Sequence, residues 1–169
     1  EGLQEIGKKF NLLKGRDFSK SVRRIQRHHI LVVGSFIMGL DADQPGIGKR
    51  IANAARSYGV DILNTLFLTP LPGTRLWDRM LAENRIAADN FPGDWRYYTL
   101  GFPTAHYKHF SWAQIVEEMK LCDSRFYSWW RIFRRVSMSF LRRRRPIISL
   151  VTNLSYRRRS LFGQVENLS

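Results

Sequence analysis

An α/β fold with parallel strands is predicted by three features of the sequence. Residues 30–38 (ILVVGSFIM) and 61–68 (DILNTLFL) are two nearly unbroken apolar runs of strand length. Between them, Ile47, Ile51, Ala54, Ala55 and Tyr58 return at helical spacing. Strands apolar on both faces are expected to be buried on both, as in parallel sheets covered by helices. Two such strands joined by one helix form a βαβ unit, with a right-handed crossover as the default. A mainly helical, strongly basic C-terminal extension is expected to follow.

The totals bound this reading. With 169 residues and 44% hydrophobic content, the chain can hold one ordinary domain or one piece of a larger one. A single cysteine, Cys122, excludes an internal disulfide framework and any multi-cysteine metal cluster built from this chain alone. That usage fits a reducing, cytoplasmic setting. No apolar run reaches the roughly 20 residues of a spanning helix. The opening EGLQEIGKKF has no initiating methionine and no signal-peptide pattern, and it reads as mid-helix, so a fragment is expected. The net charge of +14 is uneven: residues 1–122 carry 17 Lys+Arg against 12 acids, and residues 123–169 carry 11 Arg against 2. The basic tail is therefore a separate element from an ordinary front portion.

In chain order, Leu3, Ile6, Phe10 and Leu13, then Phe18, Val22 and Ile25, predict two helical pieces broken near Gly15. His28 and His29 follow. Neighbouring side chains of an extended segment point to opposite faces, so the pair reads as connector rather than metal site. The first strand ends in Gly39 and the acids Asp41 and Asp43; the second ends in the turn Thr69-Pro70-Leu71-Pro72-Gly73-Thr74. Thr74 is a predicted N-cap for a helix carrying Leu76, Trp77, Met80 and Leu81. Residues 87–110 hold seven aromatics with Gly and Pro but no period, which predicts a long ordered loop. Ser111 with Gln114 predicts a capping box. The stripe Trp112, Ile115, Val116, Met119 and Cys122 continues through Phe126, Trp129, Trp130, Phe133, Phe140 and Leu141 as one helical pattern, with Pro146 expected to stop it. On that stripe Cys122 reads as a buried structural thiol.

The central text resembles the C-terminal half of a radical SAM (S-adenosylmethionine) barrel. Ser35-Phe36-Ile37-Met38-Gly39-Leu40 with acids after it is similar to the family's fifth-strand motif. Phe67-Leu68-Thr69-Pro70-Leu71-Pro72-Gly73-Thr74 is similar to its sixth strand and following turn, and residues 1–11 (EGLQEIGKKFN) to the helix after the fourth strand. Phe126-Tyr127-Ser128 and Asn153-Leu154-Ser155-Tyr156-Arg157 resemble the extension of the cobalamin-binding-domain subgroup. The resemblance covers residues 1–86 closely and 87–169 more loosely. It implies a partial TIM-like (β/α) barrel, its last two βα units in residues 1–86, and an aromatic loop with a basic helical extension in residues 87–169.

The resemblance also implies a function. The family cleaves S-adenosylmethionine to a 5′-deoxyadenosyl radical, or transfers a methyl group with cobalamin, using a 4Fe–4S cluster held by three cysteines in CxxxCxxC. That motif is absent here. This chain is therefore expected to be the C-terminal piece of an enzyme, inactive without the N-terminal part of the same protein. Carried over by motif, Ile37 would pack on the S-adenosylmethionine adenine, Gly39 would give it room, and Phe67 and Leu68 would offer main-chain groups. Ser35 where Gly is common, Asp43 near the usual Glu, and Leu71 in place of an aromatic are departures that bear on substrate choice. Without the resemblance, these positions read as a buried strand end and a tight turn. Asp41, Asp43 and His106 are acid–base candidates by chemistry alone, and each reads more readily as structural. No catalytic residue and no metal ligand is assigned.

The tail has its own candidate partners. Arg142, Arg143, Arg144 and Arg145, then Arg157, Arg158 and Arg159, suit phosphate. An anionic membrane surface is favoured over nucleic acid, because Trp129 and Trp130 beside Arg131 suit the interfacial depth. Packing of the aromatics beneath the barrel, with a solvated charged face, is the competing reading. A non-catalytic cationic module binding membrane or nucleic acid is the alternative function.

Overall fold

The structure, a computed structural model, describes residues 17–90, 92–141 and 146–162. In order, the elements are α1 (Phe18–Arg27), β1 (Val33–Met38), α2 (Ile47–Tyr58), β2 (Ile62–Phe67), α3 (Arg75–Ala82), a short 3-10 helix (Gly93–Tyr97), α4 (Trp112–Phe126), α5 (Trp129–Leu141) and α6 (Pro146–Phe162). The helix expected over residues 3–13, with the family-like text of residues 1–11, lies outside the described residues.

β1 and β2 pair in parallel, in register from Val33 with Ile62 to Met38 with Phe67. The chain is α/β, and this pair with α2 between its strands is the βαβ unit read from the sequence. Among the described residues the sheet has these two strands, and a barrel is not shown.

Burial is one-sided, which corrects the expectation of strands covered on both faces. Alternation puts Gly34, Phe36, Met38, Leu63, Thr65 and Phe67 on one face of the pair. Met38, Leu63 and Phe67 there are no more than 1% exposed and join the core with Ile51, Ala55, Ile115 and Met119 of α2 and α4. On the other face Ile62 is buried, but Ser35 is exposed and Ile37, Asn64 and Leu66 are part-buried. Val33 on that face is 48% exposed. Apolar composition alone did not distinguish a face that helices cover from one left part-open.

α2 opens at Ile47, its first periodic position, behind Gly46 in a left-handed conformation. Its start is capped from a distance: the Glu118 carboxylate of α4 accepts the Gly46 N–H (2.6 Å) and the Gly48 N–H (2.8 Å). An acidic group at a helix N-terminus satisfies free amides and complements the macrodipole. The same approach leaves no room at Gly48, where a methyl group would overlap the Glu118 main-chain oxygen.

Thr74 caps α3 through its hydroxyl, which accepts the Trp77 N–H at 3.2 Å. Ser111 and Gln114 form the predicted capping box of α4. The single helical pattern expected from Trp112 to Leu141 is two helices, with a break at Tyr127 and Ser128. The break lets Tyr127 turn onto the outer edge of β2. Its hydroxyl accepts the Leu63 N–H (2.9 Å) and donates to the Leu63 carbonyl (2.7 Å). Farther along that edge, the Phe67 N–H donates to the Leu100 carbonyl at 2.9 Å. α5 ends at Leu141, short of Pro146, and α6 begins at Pro146, a position where a missing N–H forfeits no intrahelical bond.

Tyr127→Phe removes one hydroxyl and strands two backbone groups beside a side chain only 2% exposed. The expected loss is about 2 kcal/mol of unfolding free energy, read by urea denaturation. A loss below about 0.5 kcal/mol would mean that the edge is satisfied in some other way.

Residues 87–90 and 92–110 form the ordered loop that their composition predicted, with a short 3-10 helix within it. Ile86 and Ala105 make an antiparallel bridge across its base, and Tyr107 and Phe110 are buried. Among the described residues, no helix is long and apolar enough to cross a membrane.

Candidate functional site

The C-terminal ends of β1 and β2 lie side by side, as parallel pairing requires. Ile37 pairs with Leu66 and Met38 with Phe67, so Ile37, Gly39, Phe67 and Leu68 gather at one end of the sheet. Ile37 points to the part-open face, while Phe67 and Leu68 are buried at 1% and 3% exposure.

The main chain at this end is already bonded. The Phe67 N–H goes to Leu100, and the Leu68 N–H donates to the Met38 carbonyl at 2.8 Å. The Phe67 carbonyl accepts the Thr69 hydroxyl (3.2 Å), and the Leu68 carbonyl accepts the Tyr107 hydroxyl (3.2 Å). Both donors are therefore engaged within the chain. Each carbonyl retains a second lone pair, which suits an incoming amine donor.

Gly39 has a positive φ of 98°, and a Cβ built there would stand 2.7 Å from the Tyr107 ring. Glycine is thus required both by backbone conformation and by the packed phenol ring. Burial pushes the Tyr107 phenol well above its ordinary range, so it stays neutral.

The acids after β1 are tied into structure. Asp43 accepts the Gly39 N–H (2.9 Å) and the Leu40 N–H (3.0 Å), closing the turn beyond the strand. Asp41 takes a two-pronged bond from Arg85, at 2.7 and 3.2 Å, and an ion pair from Lys108 at 2.9 Å. Burial works to raise the Asp41 pKa, but the Arg85 and Lys108 hydrogen bonds and charges outweigh it and hold the carboxyl below its usual range. Arg85 also bonds Glu83 (2.7 Å) and the His106 carbonyl (2.9 Å). His106 enters through its main chain, its N–H donating to the Arg85 carbonyl at 2.8 Å. The cluster clamps the base of the 87–110 loop to the end of β1.

Two groups in this region escaped the sequence reading. Tyr107 was one aromatic among seven, and Asp123 was not singled out at all. Asp123 accepts one hydrogen bond from Thr65 (3.1 Å), and burial raises its pKa from 3.8 to about 6. The folded chain thus holds a proton between about pH 4 and 6 that the unfolded chain has released. Stability consequently falls as pH rises through that window and levels off above it. Asp123→Asn keeps the Thr65 acceptor without the charge. It should gain about 2 kcal/mol at pH 8 and flatten the slope between pH 4 and 6 in denaturation series.

Cys122 is fully buried, and burial raises its thiol well above the ordinary range. Among the described residues no group of three His, Cys, Asp or Glu side chains could hold a metal ion.

In the basic extension, Arg157 lies over the Trp129 ring at 4.0 Å and donates to the Tyr127 carbonyl at 3.2 Å. Residues 142–145 and the side chains of Arg158 and Arg159 lie outside the described residues. Trp129, Trp130, Phe133 and Phe140 are all more than 60% exposed.

No protein-family model matches the chain, and no solved structure matches it. Over 125 residues it is 30% identical to an uncharacterized methyltransferase of Pyrococcus horikoshii, covering 74% of this chain and 26% of that protein. Over 108 residues it is 32% identical to the hopanoid C-2 methylase of Rhodopseudomonas palustris, covering 64% and 19%. Over 82 residues it is 32% identical to an uncharacterized methyltransferase of Synechocystis, covering 48% and 15%. The chain spans at most about a quarter of the length of these curated relatives. It is a homologue of proteins named as methyltransferases, one of them a hopanoid C-2 methylase.

Proposed function

We propose that this chain is one wall of a methyltransferase that uses S-adenosylmethionine, built as part of a radical SAM barrel. The observation that carries this reading is the juxtaposition of Ile37 and Gly39 with Phe67 and Leu68 at one end of a parallel βαβ unit, in a chain homologous to methyltransferases. Ligands of parallel α/β folds bind outside the C-terminal ends of the strands.

The fit to each group differs. For S-adenosylmethionine the site offers a part-buried Ile37 side chain for the adenine plane. The Phe67 and Leu68 carbonyls, each with a lone pair to spare, suit the exocyclic amine. The engaged N–H groups of Phe67 and Leu68 leave shape and acceptors, rather than donors, as this chain's contribution. The 4Fe–4S cluster does not fit: one buried, protonated cysteine is not a cluster ligand set. In this reading its three thiolates come from other parts of the polypeptide, and no step is derived through it. Cobalamin, which the resemblance allows, is assigned no residue here.

The substrate would enter from the part-open face that carries Ser35, Ile37, Asn64 and Leu66. The printed name of one relative, a hopanoid methylase, suggests an apolar, polycyclic-lipid-like substrate.

The test is the affinity of the complete protein for S-adenosylmethionine. Ile37→Glu places a carboxylate against the adenine plane and should weaken binding about tenfold or more, measured by equilibrium dialysis. Glu83→Gln, on the loop clamp, should leave it within about twofold. Unchanged affinity in Ile37→Glu would remove Ile37 from the adenine wall.

A further inference from the structure

At the opposite end of the strands lies a cleft of about 390 Å³, between α1, the end of α2, the start of β2 and α5. Five arginines line it: Arg23 of α1, Arg56 of α2, and Arg131, Arg134 and Arg135 of α5. One carboxylate, Asp61, shares the lining, and its Oδ2 is occupied by the Gln26 side-chain amide and the Val32 N–H, each at 2.9 Å. Among the described residues, none of the five arginines makes an ion pair with a carboxylate.

Such crowding is unfavourable without a counter-charge. Burial, then repulsion from Arg56, Arg125 and Arg134, lowers the Arg131 pKa. Burial pulls that of Arg135 down to about 10. The nearby C-terminus of α2 supplies about half of one negative charge, far less than five guanidinium groups require.

The base of the cleft is also held in place. Arg135 donates from Nε (3.2 Å) and Nη2 (2.7 Å) to Asn153 Oδ1, and from Nη1 to the Phe126 carbonyl (3.1 Å). Its guanidinium stacks over the Phe126 ring at 4.3 Å, and Asn153 is fully buried. Three of its five N–H bonds are used, leaving two for a ligand. A fixed planar fork among further arginines is the arrangement that recognises a phosphate group.

We propose that this cleft is a binding site for a phosphate group, distinct from the strand-end site about 20 Å away along β2. Two sources share that chemistry: a soluble phosphate compound and the headgroup of an anionic lipid. The exposed strip of α5 beside the cleft arginines, with Trp130 and Phe133 stacked at 6.1 Å, would reach lipid acyl chains if the source is a membrane.

The experiment titrates the full chain with inorganic pyrophosphate. In parallel it sediments the chain with phosphatidylcholine vesicles, with and without phosphatidylglycerol. The variants are Arg131→Gln with Arg134→Gln, and separately Arg23→Gln, whose exposed side chain leaves the core untouched. Outside the cleft, Arg50→Gln is the charge-matched control for Arg23→Gln, and Lys49→Gln with Arg50→Gln is that for the double variant. Each cleft arginine should contribute about tenfold in affinity, and each control less than about twofold. Pyrophosphate binding lost in the cleft variants supports a soluble source. Loss seen only with phosphatidylglycerol vesicles supports a lipid headgroup. Absence of binding to both probes, or equal losses in the matched controls, would overturn the proposal. Binding to a single-stranded oligonucleotide alone would overturn it in favour of nucleic acid.

Discussion

Gly48→Ala should destabilise this chain by about 3 kcal/mol, near the upper end of what overpacking costs. Helix propensity predicts the opposite sign, since alanine in a helix interior is worth about 1 kcal/mol over glycine. Packing decides the outcome. The added methyl would overlap the main-chain oxygen of Glu118, a backbone atom that cannot rotate away. Relief requires α4 to move off α2, which would also pull the Glu118 carboxylate from the Gly46 and Gly48 amides. Urea denaturation of the two proteins reads the difference directly. A neutral or stabilising alanine would mean that α2 and α4 do not meet at this distance.

Arg85→Met should be comparably damaging, at about 3 kcal/mol. Arg85 and Asp41 are 10% and 15% exposed in their side chains, and the pair is two-pronged. Removing the arginine strands a carboxylate whose ionisation it supports. Lys108 remains within 2.9 Å of Asp41 and is half exposed, which keeps the expected loss at the low end of the range for broken buried pairs. The double variant Asp41→Asn with Arg85→Met should recover part of the loss, since the buried carboxylate is then gone and the partners left behind, Glu83 and Lys108, are the more exposed members of the cluster. Losses that simply add would show that the two side chains act independently.

The acid limb of stability follows from the same pair. Asp41 has a folded pKa held below its unfolded value, so its contribution is present above about pH 4 and disappears as pH falls through the folded pKa. Asp123 acts with the reverse sign between about pH 4 and 6. The two effects are separable by the single variants.

What could be read from the sequence was what local pattern encodes. The parallel unit follows from two apolar runs about one helix, the caps at Thr74 and Ser111 from residues three positions apart, and the burial of Cys122 from its helical stripe. What could not be read depends on distant partners. Glu118 caps α2 from 70 residues away, and Tyr127 seals β2 from 64 residues away. Neither residue type announces such a partner. Tyr127 also interrupts a helical period that continues unbroken in the text, so periodicity merged α4 and α5 into one helix. Pro146 could be read only in part: proline marks a helix stop or a helix start, and the pattern did not show that α6 begins there.

At the strand ends, motif text picked out Ile37, Gly39, Phe67 and Leu68, and the fold brings them together. It did not foresee Tyr107, whose ring occupies the space beside Gly39 and whose hydroxyl bonds Leu68. The arginine cleft was equally hidden. Its members lie on α1, α2 and α5, and the sequence drew attention instead to the arginine runs farther along the chain.

The most direct test of the central claim is photolabelling of the complete protein with an adenine-azido analogue of S-adenosylmethionine, followed by peptide mapping. The strand-end reading predicts label on peptides spanning residues 33–43 and 62–74, displaced by excess S-adenosylmethionine. Label that maps wholly outside these two peptides, in a protein that binds the analogue, would contradict it.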